Sequence, residues 1–261
     1  MTIGSALYRT KICTNSMAWA KNNIASAPDG SVFLADQLEV AQGRQGRTWG
    51  IRPGQLLITI VLKPEILALL SSEDLPIRLN QLNMALALGI LDPIKEYGTK
   101  LKWPNDFVIP EEQIHKKVCG MLVHLVWHEE KPLGIVFGFG MNVNTIFDTQ
   151  DELSPIATSL LSYKQVHDNN TNSIDMRDLY KKLLASLDTY YSQWKQQNFS
   201  SIYTEWKNNQ AFLGKPLTIH QKDGSVISGT MTQVMPNGDL MLKTDSKIMI
   251  IPFYTVEEVK V

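Results

Sequence analysis

The chain has 261 residues, 44% of them hydrophobic and 20% charged, and a formal net charge of -1. This length accommodates one large domain, or a large and a small one, with enough apolar residues for a full core. A near-neutral balance argues against broad nucleic-acid binding, which needs a basic face to displace counterions, but it leaves room for a local basic site for one small anion.

Two cysteines without metal-ligand spacing, Cys13 and Cys119, exclude a disulfide scaffold. The N-terminal stretch MTIGSALYRTKICTN carries no signal pattern, and apolar runs such as QLLITIVL are too short to span a bilayer. A reducing cytoplasm is the expected location.

In chain order, residues 31–36 (SVFLAD) and 55–62 (QLLITIVL) read as buried strands, β-branched and apolar between Gly, Pro and Asp. Residues 75–91 repeat Leu, Ala and Met at helical spacing and predict a core helix. KLKW (100–103) is a short strand cut by Pro104. Residues 117–128 and 133–144 predict neighbouring strands joined by a turn at 129–132. After a polar linker at 169–173, Leu179, Leu183, Leu187 and Trp194 mark an amphipathic helix over 175–197, and a shorter helix follows at 201–209. Five strand-like runs close the chain: 216–220, 225–234, 239–243, 247–251 and 256–261. The hairpin signals Asp223-Gly224 and Asn237-Gly238 fall between them and predict a small β-barrel beyond a boundary near 210–214. The alternating element pattern predicts an α/β domain followed by an SH3-like barrel.

Four stretches carry candidate chemistry. In EVAQGRQGRTWG (39–50), Gly43 and Gly46 let the backbone approach a ligand, and the forks of Arg44 and Arg47 suit a carboxylate or phosphate. Trp49 can stack on a flat ring; the plain alternative is an exposed loop anchored by its tryptophan. In KLKWPNDF (100–107), Asn105 can donate and accept, and Asp106 can take a proton or orient an amine, although Pro-Asn-Asp is also an ordinary turn. In HKKVCG (115–120), strand alternation turns one of Lys116 and Lys117 inward, where an ammonium would stabilise charge on a phosphoryl group; the plain alternative, a solvated pair at a strand start, is the reading for Lys116. In GFGMNVN (138–144), Gly138, Gly140 and Asn142 leave space for a ring against a strand. No third glycine or opening helix makes this a dinucleotide fingerprint. His124 and His128 lie about 13 Å apart along a strand, too far to share one zinc ion. Cys13 and Cys119 read as core or pocket residues.

Taken together, CTNSMA (13–18), ADQLEVAQGRQGRTWG (35–50), KWPND (102–106), KKVCGMLV (116–123), GFGMNVN (138–144), ATSL (157–160) and the C-terminal strands resemble biotin protein ligase. The resemblance implies an α+β fold related to class II aminoacyl-tRNA synthetases. A mixed-sheet catalytic domain flanked by helices would occupy 1–210, and an SH3-like barrel 211–261. It implies two steps: biotin's carboxylate attacks the α-phosphate of ATP to give biotinyl-5'-AMP, and a lysine of a biotin carboxyl-carrier domain, as in acetyl-CoA carboxylase, then takes the biotinyl group. Mg2+ is expected on the ATP phosphates, with no protein ligand assigned to it.

Carried over by position, Thr14, Asn15, Gln42, Gly43, Arg44, Lys117 and Gly120 would bind biotin. Arg47, Trp49, Asn105, Gly138, Gly140 and Asn142 would bind ATP, the last three receiving adenine under Trp49. Lys117 is implied to be the main catalytic cation, beside Arg44, with Asp106 orienting or deprotonating the acceptor lysine. The longer segment from Phe107 to Lys117 leaves the register of Lys116 against Lys117 open. Leu38, Ala41 and Gln42 stand where the family has Gln, Gly and Arg, a departure that bears on biotin affinity. Cys13 replaces a common serine and His124 a frequent glutamate.

With the Thr14-Asn15 motif so early, the DNA-binding winged helix of many relatives is not expected. No nucleic-acid or membrane partner is expected either, and a homodimer through the edge of the main sheet is one arrangement the resemblance allows. A lipoate or octanoate ligase of the same fold, or a biotin-binding module with impaired catalysis, are the alternatives.

Overall fold

The computed structural model describes residues 2–260 apart from Ile66, Ala68, Leu69, Ser72, Glu112 and Gln113, with the backbone alone at Gln45. Val261, the end of the last predicted strand, lies outside the described residues. Seven strands form the main sheet in the order β1 (Leu7–Cys13), β2 (Ser31–Leu38), β5 (Gln55–Leu62), β9 (Lys131–Asn142), β8 (His115–His128), β7 (Asp106–Pro110) and β6 (Lys100–Lys102). Two short strands, β3 (Ala41–Gln42) and β4 (Thr48–Trp49), pair only with each other. In the main sheet β1 and β2 are parallel and every other pair is antiparallel, so the fold is the mixed α+β that the resemblance implies, not the α/β read from element alternation.

Strand alternation sorts this sheet into two faces. Leu56, Ile58, Ile60 and Leu62 of β5, with Ile135, Phe137, Phe139 and Met141 of β9, enter the main core. Helices α2 (Asp74–Leu91) and α4 (Met176–Lys195) cover that face, and α5 (Phe199–Asn208) packs on α2. Trp194 and Tyr191 of α4 are fully buried, as the predicted apolar stripe requires. On the other face, α1 (Ser16–Asn23) lays Met17 and Ala20 on Phe33, Val61 and Val136. It covers only part of that face.

Beyond α5, strands β10 (Pro216–Gln221), β11 (Val226–Val234), β12 (Leu240–Lys243), β13 (Ile248–Ile251) and β14 (Val256–Lys260) coincide with the five predicted runs. They form an antiparallel sheet in the order β13-β12-β11-β10-β14. The two outer strands do not pair among the described residues, so strand pairing does not close this sheet into the predicted barrel. Gly224 and Gly238 take φ values of 86° and 91° at the two predicted hairpins, a region that favours glycine. The sheet docks through the Trp103 indole N–H, which donates to Gly238 O at 2.9 Å, and one hydrophobic cluster runs from the main core to Leu217, Met231 and Val256. No described helix is long and apolar enough to cross a membrane.

Six strands and α-helices were not read from the sequence: β1, α1, β3, β4, β7 and α3 (Leu160–His167). Lys11 and Arg9 interrupt the apolar pattern of β1, α1 spans only eight residues, and β7 has too few residues to establish a period. The contact between α2 and α4 depends on Gly89, where an added Cβ would lie 2.8 Å from the Leu187 Cα. Gly89→Val should therefore separate the helices and cost about 1–3 kcal/mol, read as a lower midpoint in urea unfolding with an unchanged slope. A midpoint equal to wild type would show that the interface has slack.

Candidate active site

The uncovered part of the α1 face holds a cavity of about 500 Å³, a size suited to a small-molecule ligand. Its floor is set by missing side chains. Gly140 of β9 pairs across the sheet with Leu57 of β5 on one side and Gly120 of β8 on the other, and Gly120 in turn faces Asp106 of β7. One step along β9, Gly138 lies between Thr59 and Leu122. A Cβ at Gly140 would lie 3.0 Å from the Trp49 indole, one at Gly120 3.0 Å from Lys117 Nζ, and one at Gly138 2.9 Å from Met17 Sδ.

A hairpin lies over this floor. Ala41 and Gln42 pair with Trp49 and Thr48, and a 3-10 turn over Arg44–Gly46 closes the loop. Gly46, at φ 75°, makes the reversal that a β-carbon would strain. Gly43 N–H donates to Arg47 O at 2.7 Å. Arg44 donates to Asn105 Oδ1 at 3.1 Å and to Phe253 O at 3.3 Å, while Arg47 lies 3.8 Å from Glu257. The glycine-arginine stretch is thus a folded lid tied to the β6–β7 turn and to the C-terminal sheet.

Lys117 reaches the floor through a β-bulge. Phe107 pairs with Cys119 and Val108 with Lys117, which leaves Val118 as an extra residue in β8. Without it, strand alternation would place Lys116, not Lys117, on the face of Gly120. With it, Lys117 Nζ lies 2.7 Å from Asp106 Oδ1 and 5.3 Å from the centre of the Trp49 ring. Lys116 instead pairs with Glu111 at 3.1 Å and does not line the cavity.

The candidate amides are held by the frame itself. Asn15 Oδ1 caps α1 by accepting from Ala18 N at 2.9 Å. Asn105 Nδ2 donates to Met121 O at 2.9 Å, so the Asn105–Asp106 turn is tied to β8. Asn142, 3% exposed, donates to Thr158 O and accepts from Gln55 Nε2, both at 3.0 Å. Such bonds lock side-chain rotamers before any ligand arrives.

Cations dominate one end. Burial holds the Arg44 pKa below the ordinary arginine value, with Asp106 opposing the shift and Arg47 adding to it. Lys102, which sequence reasoning passed over, also lines the cavity. Burial lowers its pKa too, Asp106 and Glu258 opposing and Lys117 reinforcing. These charges are desolvated more than they are neutralised, and a bound anion would relieve that imbalance.

The cavity brings together every residue assigned to biotin, ATP or catalysis except Thr14, which is exposed and donates its hydroxyl to Glu39 Oε2 at 2.8 Å; Gly46 of the hairpin is also absent from the lining. Gly138 lies beside Met17 at the α1 end, apart from the Trp49–Asn142 group with which it was classed. Leu38, Ala41 and Gln42 all line the cavity, so the departures from the family pattern fall within it. Cys119 is fully buried and burial pushes its thiol pKa up, in keeping with a core residue. Among the described residues no group of three or more His, Cys, Asp or Glu could hold a metal ion. Lys102 and Gln55 had no signal beyond their positions in strands; pairing alone aims them.

The fit of Trp49 on Gly140 yields a direct test of the lid. Gly140→Ala should cost the closed hairpin about 1–2 kcal/mol and raise its open fraction about tenfold. Tryptic cleavage after Arg44 or Arg47 would then accelerate by a similar factor, and an unchanged rate would mean that the arginine contacts alone hold the lid.

The model of the biotin/lipoate A/B protein ligase family matches residues 7–142, a little over half of the chain. The bifunctional ligase/repressor BirA of Bacillus subtilis is 27% identical over 88% of this chain, which spans 65% of that protein's length. The biotin--[acetyl-CoA-carboxylase] ligase of Paracoccus denitrificans is 24% identical over 88% of this chain and 91% of its own. The structure of the Aquifex aeolicus biotin protein ligase in complex with biotin and ATP superposes with a TM-score of 0.77, covering 98% of this chain and 99% of that one at 21% identity, a likeness of fold. With residues 7–142 matched, the chain belongs to the biotin/lipoate A/B protein ligase family.

Proposed function

We propose that the chain is an ATP-dependent ligase that converts biotin to biotinyl-5'-AMP and passes the biotinyl group to a lysine of a biotin carboxyl-carrier domain. The observation that carries this reading is the Lys117–Asp106 pair on a glycine floor beneath an arginine-bearing hairpin. Two anions must meet in the first step. A carboxylate oxygen bonds to the α-phosphorus, the bond from that phosphorus to the bridging oxygen breaks, and pyrophosphate leaves with the electron pair. Lys117 and Arg44 neutralise the reacting carboxylate and phosphate, Arg47 and Lys102 face the leaving phosphates, and the hairpin excludes water that would hydrolyse the anhydride. In the second step the acceptor amine attacks the acyl carbon and AMP leaves. Asp106, released as Lys117 turns to the substrate, orients the amine and takes its proton.

Biotin is assigned to the α1 end, with Asn15, Gln42, Gly43 and Gly138, and adenine to the end formed by Trp49, Gly140 and Asn142. Gly120 leaves room between the two, Asn105 holds Arg44 against the nucleotide, and Thr14 supports the pocket from outside the lining. The buried Trp49 N–H, which has no hydrogen-bond partner among the described residues, supports a ligand at that end, since such a donor costs about 1–3 kcal/mol if left unsatisfied. Magnesium suits the donor set as a companion of ATP: phosphate oxygens would supply most ligands, Glu257 and Glu258 lie at the cationic end, and the ion would ease charge on the leaving pyrophosphate.

Residues 1–210 are read as the catalytic domain and 211–261 as an SH3-like barrel, supported by the last strand lying beside the first, β14 against β10. Two free cysteines support a reducing, cytoplasmic setting. The acceptor is taken to be a carboxylase carrier domain, supported by the substrate in the Paracoccus relative's name.

ATP–pyrophosphate exchange tests the reading, with biotin, lipoic acid and octanoic acid compared in parallel. Exchange with biotin is expected, falling about 100-fold or more in Lys117→Ala and little in Lys116→Ala. Exchange with only the other two acids would move the protein to the lipoate branch. Biotin binding without exchange would leave a pocket without its chemistry.

A further inference from the structure

Two segments flank the Trp49–Asn142 end of the cavity, and one ion pair joins them. Arg52 follows Trp49 by three residues and grips Asp151 with two parallel bonds, Nε to Oδ2 at 2.8 Å and a terminal nitrogen to Oδ1 at 2.9 Å. The side chains are 24% and 14% exposed, so the pair is partly shielded from solvent. Asp151 belongs to a stretch from 147 to 157 with no helix or strand, yet its Phe147, Leu153, Ile156 and Ala157 line the cavity.

That stretch is anchored at its ends. Asn144 N–H donates to Gly54 O at 2.8 Å, and Lys117 exchanges backbone hydrogen bonds with Ile156 and Thr158 at 2.8 and 3.0 Å. Leu153 O accepts from Ile156 and Ala157 N–H within the stretch, and between the anchors the Arg52–Asp151 pair is the one hydrogen-bonded link from residues 147–155 to segments outside 147–157 among the described residues. Arg52 is itself positioned. Its backbone N–H donates to Gln55 Oε1 at 2.8 Å, and Gln55 Nε2 donates to Gly50 O and Asn142 Oδ1. A Cβ on Gly50 would run into the guanidinium, so glycine at 50 makes room for it. Asp151 Oδ1 also accepts from Leu153 N–H at 2.9 Å and thereby sets the turn that presents Leu153.

We propose that the Arg52–Asp151 pair is a latch holding residues 147–157 as the side wall of the nucleotide subsite, with Arg52 a positioning residue for ATP. The inference rests on the ligase reading above. Without the latch the wall is closed only part of the time, and apparent ATP affinity falls by that fraction. Biotin, at the α1 end, lies outside its reach.

Hydrogen exchange of the ligand-free full-length chain and pyrophosphate-exchange kinetics together test this. Arg52→Ala and Asp151→Ala should each speed amide exchange across 147–157. Each should also raise the ATP KM about tenfold while the biotin KM stays within about twofold. The swapped pair Arg52→Asp with Asp151→Arg should recover most of both effects, and Arg52→Lys part of them. The latch is overturned if Arg52→Ala leaves exchange over 147–157 and the ATP KM at wild-type values. It is also overturned if both KM values rise together as the melting temperature falls, the mark of general destabilisation. If wild type shows no pyrophosphate exchange the ligase reading fails, whereas amide exchange still decides whether the pair holds the wall.

Discussion

The site depends on a pair of paired positions that carry no side chain. Gly120 and Gly140 face each other across β8 and β9, and the missing β-carbons sink the sheet surface enough for an indole and a lysine to lie on it. Most of the cavity's geometry follows from that depression. Trp49 packs into it and sets the height of the hairpin, Lys117 crosses it to Asp106, and α1 covers only the region beyond Gly138. Side chains at these two positions would make the same face an ordinary packed layer, like the opposite face under α2 and α4.

The amides and the cations of the site are held in different ways. The amides of Asn15, Asn105 and Asn142 are bonded into a cap, a strand and a strand-loop junction, so they keep their orientation without a ligand. Arg44 on the hairpin and Lys102 at a strand end are desolvated by burial, and both have Asp106 as an acidic neighbour. An arrangement of this kind costs stability when empty and regains it when an anion enters, the physical condition for selective binding of a carboxylate or phosphate.

The C-terminal sheet takes part in this arrangement as well as extending the core. Phe253 O accepts from Arg44 and Glu257 faces Arg47, so the lid meets a surface about two hundred residues away in sequence. Loops drawn from several elements make the walls, and the fixed sheet supplies the floor.

Much of this was legible in the sequence. The long strands, the helices over α2 and α4, and the five C-terminal runs follow from periodicity, because burial of one face imposes a period of two or 3.6 residues. The clustered glycines and arginines of 43–47 and the Lys-Trp-Pro-Asn-Asp turn were legible as unusual local chemistry, and their combination identified the family. Short elements such as α1 and β7 left no period to read. Which lysine enters the site was decided by a single unpaired residue, Val118, whose bulge reverses the alternation that would otherwise favour Lys116. The placement of Lys102 and Gln55 in the cavity lining, the pairing of Arg52 with Asp151, and the position of Thr14 outside that lining depend on how distant segments pack. Local sequence carries propensity and spacing; register between strands and contacts between distant segments are fixed only when the whole core packs.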